Sequence, residues 1–261
     1  MKIVFCFTGQ SRTSPFSLNK NKRNNEILDS YNKCIFTEEF KKKYDYEIYI
    51  STDNIDLDDT INYFNSKNIG NIHLSDTDFY LKPVKNKPCK LILYLKKHDL
   101  FHDPKYEKHE GSIYQHYKYL DCFSLYTNNI IYNHTIKIFD CKYIVRMRLD
   151  SKFEGNILND IEYLNNNKDT GIFLGYDFYA IGRPAIMECY LTGLLYKYGT
   201  YSEKCLVQNH TYSIGPPNNM IGWRYAAERQ LFEMLFDFCI KNKKCPHKYI
   251  KKSHIAAIIL R

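Results

Sequence analysis

Short, continuous apolar runs that end in polar residues recur through the first 76 residues. KIVFCFTG (2–9) is closed by glycine and is typical of a strand buried on both faces. YEIYIST (46–52) and NIHLSD (71–76) have the same character and are predicted to be the second and third strands.

Helical spacing fills the intervals between these strands. Apolar positions from Ile27 to Ile35 predict a first helix, and a short second turn is predicted where Thr37 caps two glutamates. LDDTINYFNSKN (57–68) predicts another helix. Strand–helix alternation of this kind indicates right-handed crossovers and a parallel sheet.

Regular spacing is lost between residues 77 and 112. Prolines and charged residues interrupt this region, which is predicted to be an irregular excursion with one strand at CKLILYL (89–95). Helical spacing returns at Ile113 and predicts a long helix to about Asn133.

The second half again predicts buried strands and long helices. Three strands are predicted at KYIVRMRL (142–149), GIFLG (171–175) and FYAIG (178–182). A helix from Pro184 to about Tyr198 begins with proline in its first turn. A last helix is predicted near 224–241, with Glu228 off its apolar stripe.

The chain has 261 residues, of which 44% are hydrophobic, so it can bury a sizeable core and fits one large domain or two small ones. One domain is the favoured interpretation. The 37 basic and 29 acidic side chains give a net charge of +8, which attracts anionic partners. The lysines fall in short patches, and a solvated face is favoured over a nucleic-acid-binding stripe.

Cysteine usage indicates a reducing compartment. The nine cysteines include no CxxC pair, and several lie in apolar runs as small hydrophobic residues. The N-terminal apolar run is shorter than a signal peptide requires, and no run reaches the length of a membrane span. A cytoplasmic protein without a transmembrane segment is expected.

Polar residues follow three of the predicted strands. TGQSR comes after the first strand, STDNID after the second, and RMRLDS ends the strand at 142–149. The carboxyl ends of parallel strands meet at one edge of a sheet, where ligands bind. Each signal also has a structural alternative: Gly9 makes a turn, Arg12 is a surface side chain, and Asp53 caps the following helix.

Arg146 and Arg148 alternate onto one face of a buried strand, and burial of two guanidinium groups requires an anion. Asp150, turned outward by a bend, could hold a divalent cation that bridges two phosphates. The alternative is a structural ion pair with acids of the long helix or with Asp177.

Four segments in this order carry a resemblance to a known family: VFCFTGQSR, YIVRMRLDSKF, GYDFYAIGRPAIMECY and AAERQLFEML. They resemble nucleotide-sugar-dependent glycosyltransferases of the GT-A fold, in particular lipopolysaccharide-synthesis proteins of the WavE type and transferases of large DNA viruses. The resemblance spans Lys2 to about Phe238.

The resemblance implies a GT-A-like (Rossmann-like) α/β fold, with a mixed, mostly parallel central sheet flanked by helices. The chain would form a single domain, described by four consecutive segments. These are a nucleotide-binding half (1–76), the irregular excursion (77–112), a metal and acceptor half (113–241) and a basic C-terminal tail (242–261).

The implied activity is transfer of a hexosyl or pentosyl group from a UDP- or GDP-sugar to a glycan or glycoprotein acceptor, with Mn²⁺ or Mg²⁺ as cofactor. The family's strand-end Asp-x-Asp maps onto Asp150. Leu149-Asp150-Ser151-Lys152 lacks the second aspartate, so strict metal dependence stays open.

The implied donor-binding residues are Thr8, Gly9, Gln10, Arg12 and Asp53, with Arg146 and Arg148 near the diphosphate. Asp177 and Glu228 are the two candidate bases for the acceptor hydroxyl. Their structural alternatives are a partner for Arg148 in the first case and an ordinary helix-surface acid in the second.

Two other classes of protein stay open. A non-catalytic nucleic-acid-binding module would use the positive charge and no particular carboxylate. A kinase or methyltransferase is disfavoured because GxxxxGK[ST] and GxGxxG are missing. No stable nucleic-acid partner is expected.

The spacing of histidines 98, 102, 109 and 116 does not match a zinc site. These histidines are predicted to lie in a solvent-exposed, irregular segment.

Overall fold

The computed structural model of the chain describes residues 1–9, 20–52, 57–74, 118–127, 139–175, 178–200 and 227–259. The strands are β1 (Lys2–Gly9), β2 (Asp45–Thr52), β3 (Ile72–Leu74), β4 (Tyr143–Arg148), β5 (Ser151–Glu154), β6 (Ile172–Gly175), β7 (Tyr179–Gly182), β8 (Ile250–Lys252) and β9 (Ala256–Ile259). The helices are α1 (Lys20–Cys34), α2 (Glu38–Lys43), α3 (Leu57–Ser66), α4 (118–127), α5 (Ile157–Asn166), α6 (Pro184–Thr200), α7 (Ala227–Lys241) and α8 (Pro246–Tyr249).

Seven strands form one sheet in the order β3-β2-β1-β4-β7-β6-β8. β3, β2, β1 and β4 are parallel to one another. β7 is antiparallel to both of its neighbours, and β6 and β8 run parallel to each other. The fold is therefore α/β with a mostly parallel, mixed sheet, and the predicted parallel pairing of the first three strands is confirmed.

Helices cover both faces of this sheet because alternate residues of each central strand point to opposite sides. Ile3, Phe5 and Phe7 pack with apolar residues of α1, α2, α3 and α5. Val4 and Cys6 pack on the other side with residues of α4, α6 and α7. Because the central strands are buried on both faces, their sequences are continuously apolar.

Local signals set several helix starts. The Thr37 hydroxyl accepts from the Phe40 backbone N–H, and Asn156 caps α5 in the same way through Leu158 N–H. Gly155, between β5 and α5, has φ +115°, and a Cβ there would lie 2.8 Å from the His254 carbonyl oxygen. Only glycine fits that turn without strain.

The C-terminal segment differs from the expected tail. Residues 246–249 form α8, β8 joins the main sheet beside β6, and β9 pairs with β5 in a separate two-stranded sheet. The lysines of this segment suggested a solvated tail, but Tyr249 and Ile255 are buried and anchor it. β5 and α5 were not predicted either.

α1 begins at Lys20, seven residues before the Ile27 at which helical spacing was predicted to start. The other described boundaries agree closely with the sequence, apart from two regions. The strand expected at 89–95 lies outside the described residues, and the helix expected at 113–133 is described only as α4. None of the described helices is long and apolar enough to cross a membrane.

Candidate ligand site at the switch point of the sheet

The strand order reverses between β1 and β4. β1 is followed along the sheet by β2 and β3 on one side, whereas β7, β6 and β8 lie beyond β4 on the other. In α/β sheets the crevice outside the carboxyl ends at such a switch point is the usual place for a ligand. Leu149 N–H donates to Thr8 C=O at 3.1 Å, so the two strands stay joined up to that edge.

A buried polar layer lies on the α4 face of the sheet at this edge. Strand register puts Thr8 beside both Ser51 and Arg148, and Cys6 beside Arg146. Ser51 donates through its hydroxyl to the Asp121 carboxylate of α4. Thr8 and Ser51 are fully buried, and hydroxyl groups in such a position require partners of this kind.

Arg146 is enclosed within this layer. Its side chain has no exposed surface, its guanidinium carbon lies 4.2 Å from the centre of the Tyr119 ring, and its Nε donates to Thr8 Oγ1 at 3.4 Å. A guanidinium stacked on an aromatic face is a favourable buried arrangement. Arg146 is thus buried behind the edge, and its assignment as a donor-binding residue stays a prediction.

Arg148 and Asp150 form a bidentate ion pair at the exit of β4. Arg148 Nε donates to Oδ1 at 2.8 Å and Nη2 to Oδ2 at 2.7 Å. β4 ends at Arg148 and residues 149–150 turn, which brings the carboxylate back to the arginine two positions earlier. Side-chain exposure is 12% for Arg148 and 5% for Asp150.

Neighbouring rings fix this pair in place. Tyr31 of α1 donates through its hydroxyl to the Arg148 carbonyl oxygen at 3.0 Å. Burial, and then the charge of Asp150, raise the pKa of Tyr31, which keeps the phenol protonated as a donor. The Phe178 ring lies 5.3 Å from the Arg148 guanidinium carbon.

This geometry bears on the expected cation site. Asp150 was predicted to turn outward and offer its oxygens to a metal, whereas both oxygens accept from Arg148. Within the described ranges, no group of three or more His, Cys, Asp or Glu side chains could hold a metal ion. The described residues therefore do not fit a preformed divalent-cation site, and Asp150 supplies an anion for Arg148.

The side chains of the other charged and amide residues that were predicted for the site are not described in this structure. Gln10, Arg12, Asp53 and Asp177 are outside the described residues, and Glu228 is the second residue of α7, with a side chain that is not described.

The described backbone nevertheless fixes where three of these loops start or end. Gly9 and Thr52 are paired at the ends of β1 and β2, directly before the loops with Arg12 and Asp53. Arg148 N–H donates to the carbonyl of Phe178, the residue directly after Asp177, at 3.1 Å. The described ends of three polar segments, at Gly9, Thr52 and Phe178, therefore lie at this edge of the sheet.

A second polar cluster, which the sequence did not indicate, surrounds Asp160 of α5. This carboxylate is fully buried and accepts from the Ser253 hydroxyl, from the His254 backbone N–H at 3.1 Å and from His254 Nδ1 at 2.7 Å. The His254 side chain is half exposed. Ser253 N–H also donates to Leu174 C=O at 2.9 Å, so the cluster lies at the carboxyl end of β6.

No local pattern could have revealed this cluster, since Asp160 and His254 are 94 residues apart. Comparison of the chain with protein-family models and with curated protein sequences found no match. The fold and the site thus define an α/β protein with a polar edge at its switch point.

Proposed function

We propose that the protein is a glycosyltransferase with a GT-A-like fold, which binds a UDP- or GDP-sugar across the carboxyl ends of β1, β2 and β4. The sugar is transferred to a hydroxyl group of a glycan or glycoprotein. The observation that carries the proposal is that Thr52, Gly9 and Arg148 end three adjacent parallel strands at one edge of the sheet, where Phe178 contacts Arg148.

The chemistry of a diphosphate donor suits this edge. Loops that leave parallel strands present backbone N–H groups, which bind phosphate oxygens. Arg148 retains some exposure and supplies a fixed positive charge, with Asp150 holding the plane of its guanidinium group. Arg146 contributes from behind, as a buried charge stacked on Tyr119.

Departure of a nucleoside diphosphate develops negative charge on the phosphate oxygens. A guanidinium group held in position before the reaction stabilises that charge without reorganisation. Arg148 has this role in the proposal, together with Arg12 of the β1 loop. Because the described residues do not fit a cation site, no step is assigned to a metal ion.

The acceptor hydroxyl loses its proton to a carboxylate while its oxygen bonds to the sugar carbon and the diphosphate leaves. Asp177 is the favoured base, because the residue that follows it, Phe178, contacts Arg148 through both its carbonyl and its ring. Glu228, at the start of α7, is the second candidate.

A thermal-shift screen of UDP- and GDP-sugars, with and without Mn²⁺, tests the proposal together with an assay for release of the nucleoside diphosphate. At least one donor should raise the melting temperature, and it should also be turned over.

The informative variant is Arg148→Gln with Asp150→Asn, which removes both charges of the pair and leaves polar groups of similar size. It should fold and lose the donor-induced shift. Lys42→Ala is the control, because Lys42 is exposed on α2, next to the opposite, amino-terminal edge of β2. If no nucleotide sugar stabilises or is consumed by the wild-type protein, the proposal fails.

A further inference from the structure

Helix α7 is apolar on two sides. Its inner side is formed by Leu231, Met234, Leu235 and Cys239, which are buried in the core. On its outer side Phe232 is 43% exposed, Ile240 is 55% exposed, and Phe236 between them is partly exposed. The spacing i, i+4, i+8 places these three side chains in one stripe, roughly 12 Å long at the rise of a helix.

An outer apolar stripe on a helix whose inner side is already buried indicates a second apolar environment. Apolar side chains scattered singly over a surface would need no such explanation. Here they are aligned on a single element.

Lysines follow the stripe directly in the chain. Residues 241–252 include six lysines, and no acidic residue occurs after Asp237. Lys241, Lys243, Lys244 and Lys248 are exposed, and none of these four forms an ion pair with a described residue.

The backbone brings these charges beside the apolar stripe. The chain reverses after α7, with Lys243 N–H bonded to Ile240 C=O at 3.0 Å and Lys244 N–H bonded to Cys239 C=O at 2.7 Å. Lys243 has φ 53°, the left-handed conformation that ends many helices. α8 then folds back, and its His247 ring lies 5.9 Å from the Phe236 ring.

We propose that this surface docks onto an anionic phospholipid membrane. We define it as the α7 docking surface, formed by Phe232, Phe236, Ile240, Lys241, Lys243, Lys244 and Lys248. The apolar stripe enters the boundary between headgroups and acyl chains, while the lysines contact the lipid phosphates. The protein would lie on the membrane and not span it.

The two kinds of side chain together favour this partner. Nucleic acid would satisfy the lysines, but it offers no apolar layer for the aliphatic Ile240 side chain. A second copy of this chain would cover the stripe, but in a symmetric dimer it would bring like-charged lysine clusters together. An anionic lipid surface meets both requirements.

Vesicle cosedimentation of the full chain tests the proposal independently of any enzymatic activity. The protein should pellet with vesicles of phosphatidylcholine and phosphatidylserine, but not with phosphatidylcholine alone, and added salt should weaken the binding. Lys243→Glu with Lys244→Glu should reduce the partition coefficient at least about tenfold, because each lysine near such a surface contributes roughly fivefold.

Phe232→Ser with Ile240→Ser should reduce binding at unchanged charge. Leu74→Ser is its matched control, since Leu74 is 44% exposed but lies on β3. Lys42→Glu controls for charge reversal at a distant, exposed site. Circular dichroism and melting temperature establish that each variant is folded.

Three results would overturn the proposal. The first is that the protein does not bind vesicles, or that its binding does not change with phosphatidylserine, with Lys243→Glu and Lys244→Glu, or with Phe232→Ser and Ile240→Ser. The second is binding to duplex DNA or RNA without binding to anionic vesicles, which would identify a nucleic-acid surface. The third is a dimer in sedimentation velocity that Phe232→Ser with Ile240→Ser dissociates, without vesicle binding.

Discussion

Arg148 donates to both carboxylate oxygens of Asp150, two residues further along the chain, at 2.8 and 2.7 Å. The turn directly after β4 makes this ion pair possible. If the strand continued, the side chains of residues 148 and 150 would extend from the same face, both toward the neighbouring layer. In this pair the strand-end aspartate holds the Arg148 side chain, which retains some exposure at the switch point.

Asp150→Ala should lower the free energy of unfolding by about 3 kcal/mol, because a largely buried guanidinium group would lose its anion. This loss is at the lower end of the range for breaking a buried ion pair, because the Arg148 side chain keeps a little contact with water. Urea unfolding followed by circular dichroism measures it. The double variant Arg148→Gln with Asp150→Asn should lose less stability than Asp150→Ala, and an equal or larger loss would show that the pair is not the cause.

Most of the main sheet was predictable because its central strands contain continuous apolar runs. Val4, Phe5 and Cys6 have no polar neighbour to obscure the signal, and both faces of β1 are covered by helices. β5 was not predictable in this way, since Ser151 to Glu154 form a short polar stretch that continues directly from a turn.

The C-terminal strands were missed for a different reason. Lysines dominate the composition after residue 240, whereas the buried apolar side chains described there, Tyr249 and Ile255, are few and widely spaced. A strand that joins the edge of a sheet needs few buried side chains, so its pattern is weak.

Only part of the candidate site could be read from the sequence. The meeting of Thr8 and Arg148 at one edge followed from parallel pairing, and the register confirms it. The enclosure of Arg146 behind Tyr119 and the closure of Asp150 onto Arg148 depend on side-chain geometry and on a two-residue turn. Neither has a sequence signature.

Asp160→Ala should destabilise the protein by about 3 kcal/mol. The carboxylate accepts three hydrogen bonds from Ser253 and His254, and its removal leaves the Ser253 hydroxyl and the His254 backbone N–H without their acceptor. His254→Ala is the matched control. It removes a half-exposed ring but keeps the other two bonds, and should cost less than about 1 kcal/mol.

Chemical denaturation of both variants distinguishes these contributions. Comparable losses for Asp160→Ala and His254→Ala would mean that the imidazole contact, and not the attachment of the 253–255 turn, carries the stabilisation. Hydrogen exchange offers an independent measurement. Amides of β9 should exchange faster in Asp160→Ala, because this turn leads directly into that strand.

Gly171→Ala should cost about 1–3 kcal/mol through overpacking. A Cβ at this position would lie 2.0 and 2.1 Å from two carbons of the Tyr249 ring, which is itself buried. Gly70→Ala is the matched control, since no atom lies within 4 Å of its Cβ position. It should change the free energy of unfolding by less than about 0.5 kcal/mol. Equal effects of the two substitutions would contradict the packing of α8 against the start of β6.

Thiol reactivity should separate the described cysteines by burial. Burial raises the pKa of Cys141 and of Cys189 to about 11, so at pH 8 only roughly one thiol in a thousand is the reactive thiolate. Cys6 and Cys122 are fully buried, and burial raises the pKa of each further still. Cys245 is exposed at the N-terminus of α8, where a reagent can reach it.

Iodoacetamide at pH 8, followed by peptide mass spectrometry, should therefore modify Cys245 well before any other described cysteine. Addition of urea should bring the reaction rates together, because unfolding removes the burial that holds the pKa values high and gives the reagent access. Cys245→Ser supplies the control, since the fast phase assigned to this peptide must disappear. Modification of Cys141 at the rate of Cys245 in the folded protein would show that the end of the sheet where Cys141 precedes β4 is open to solvent, contrary to the packing described above.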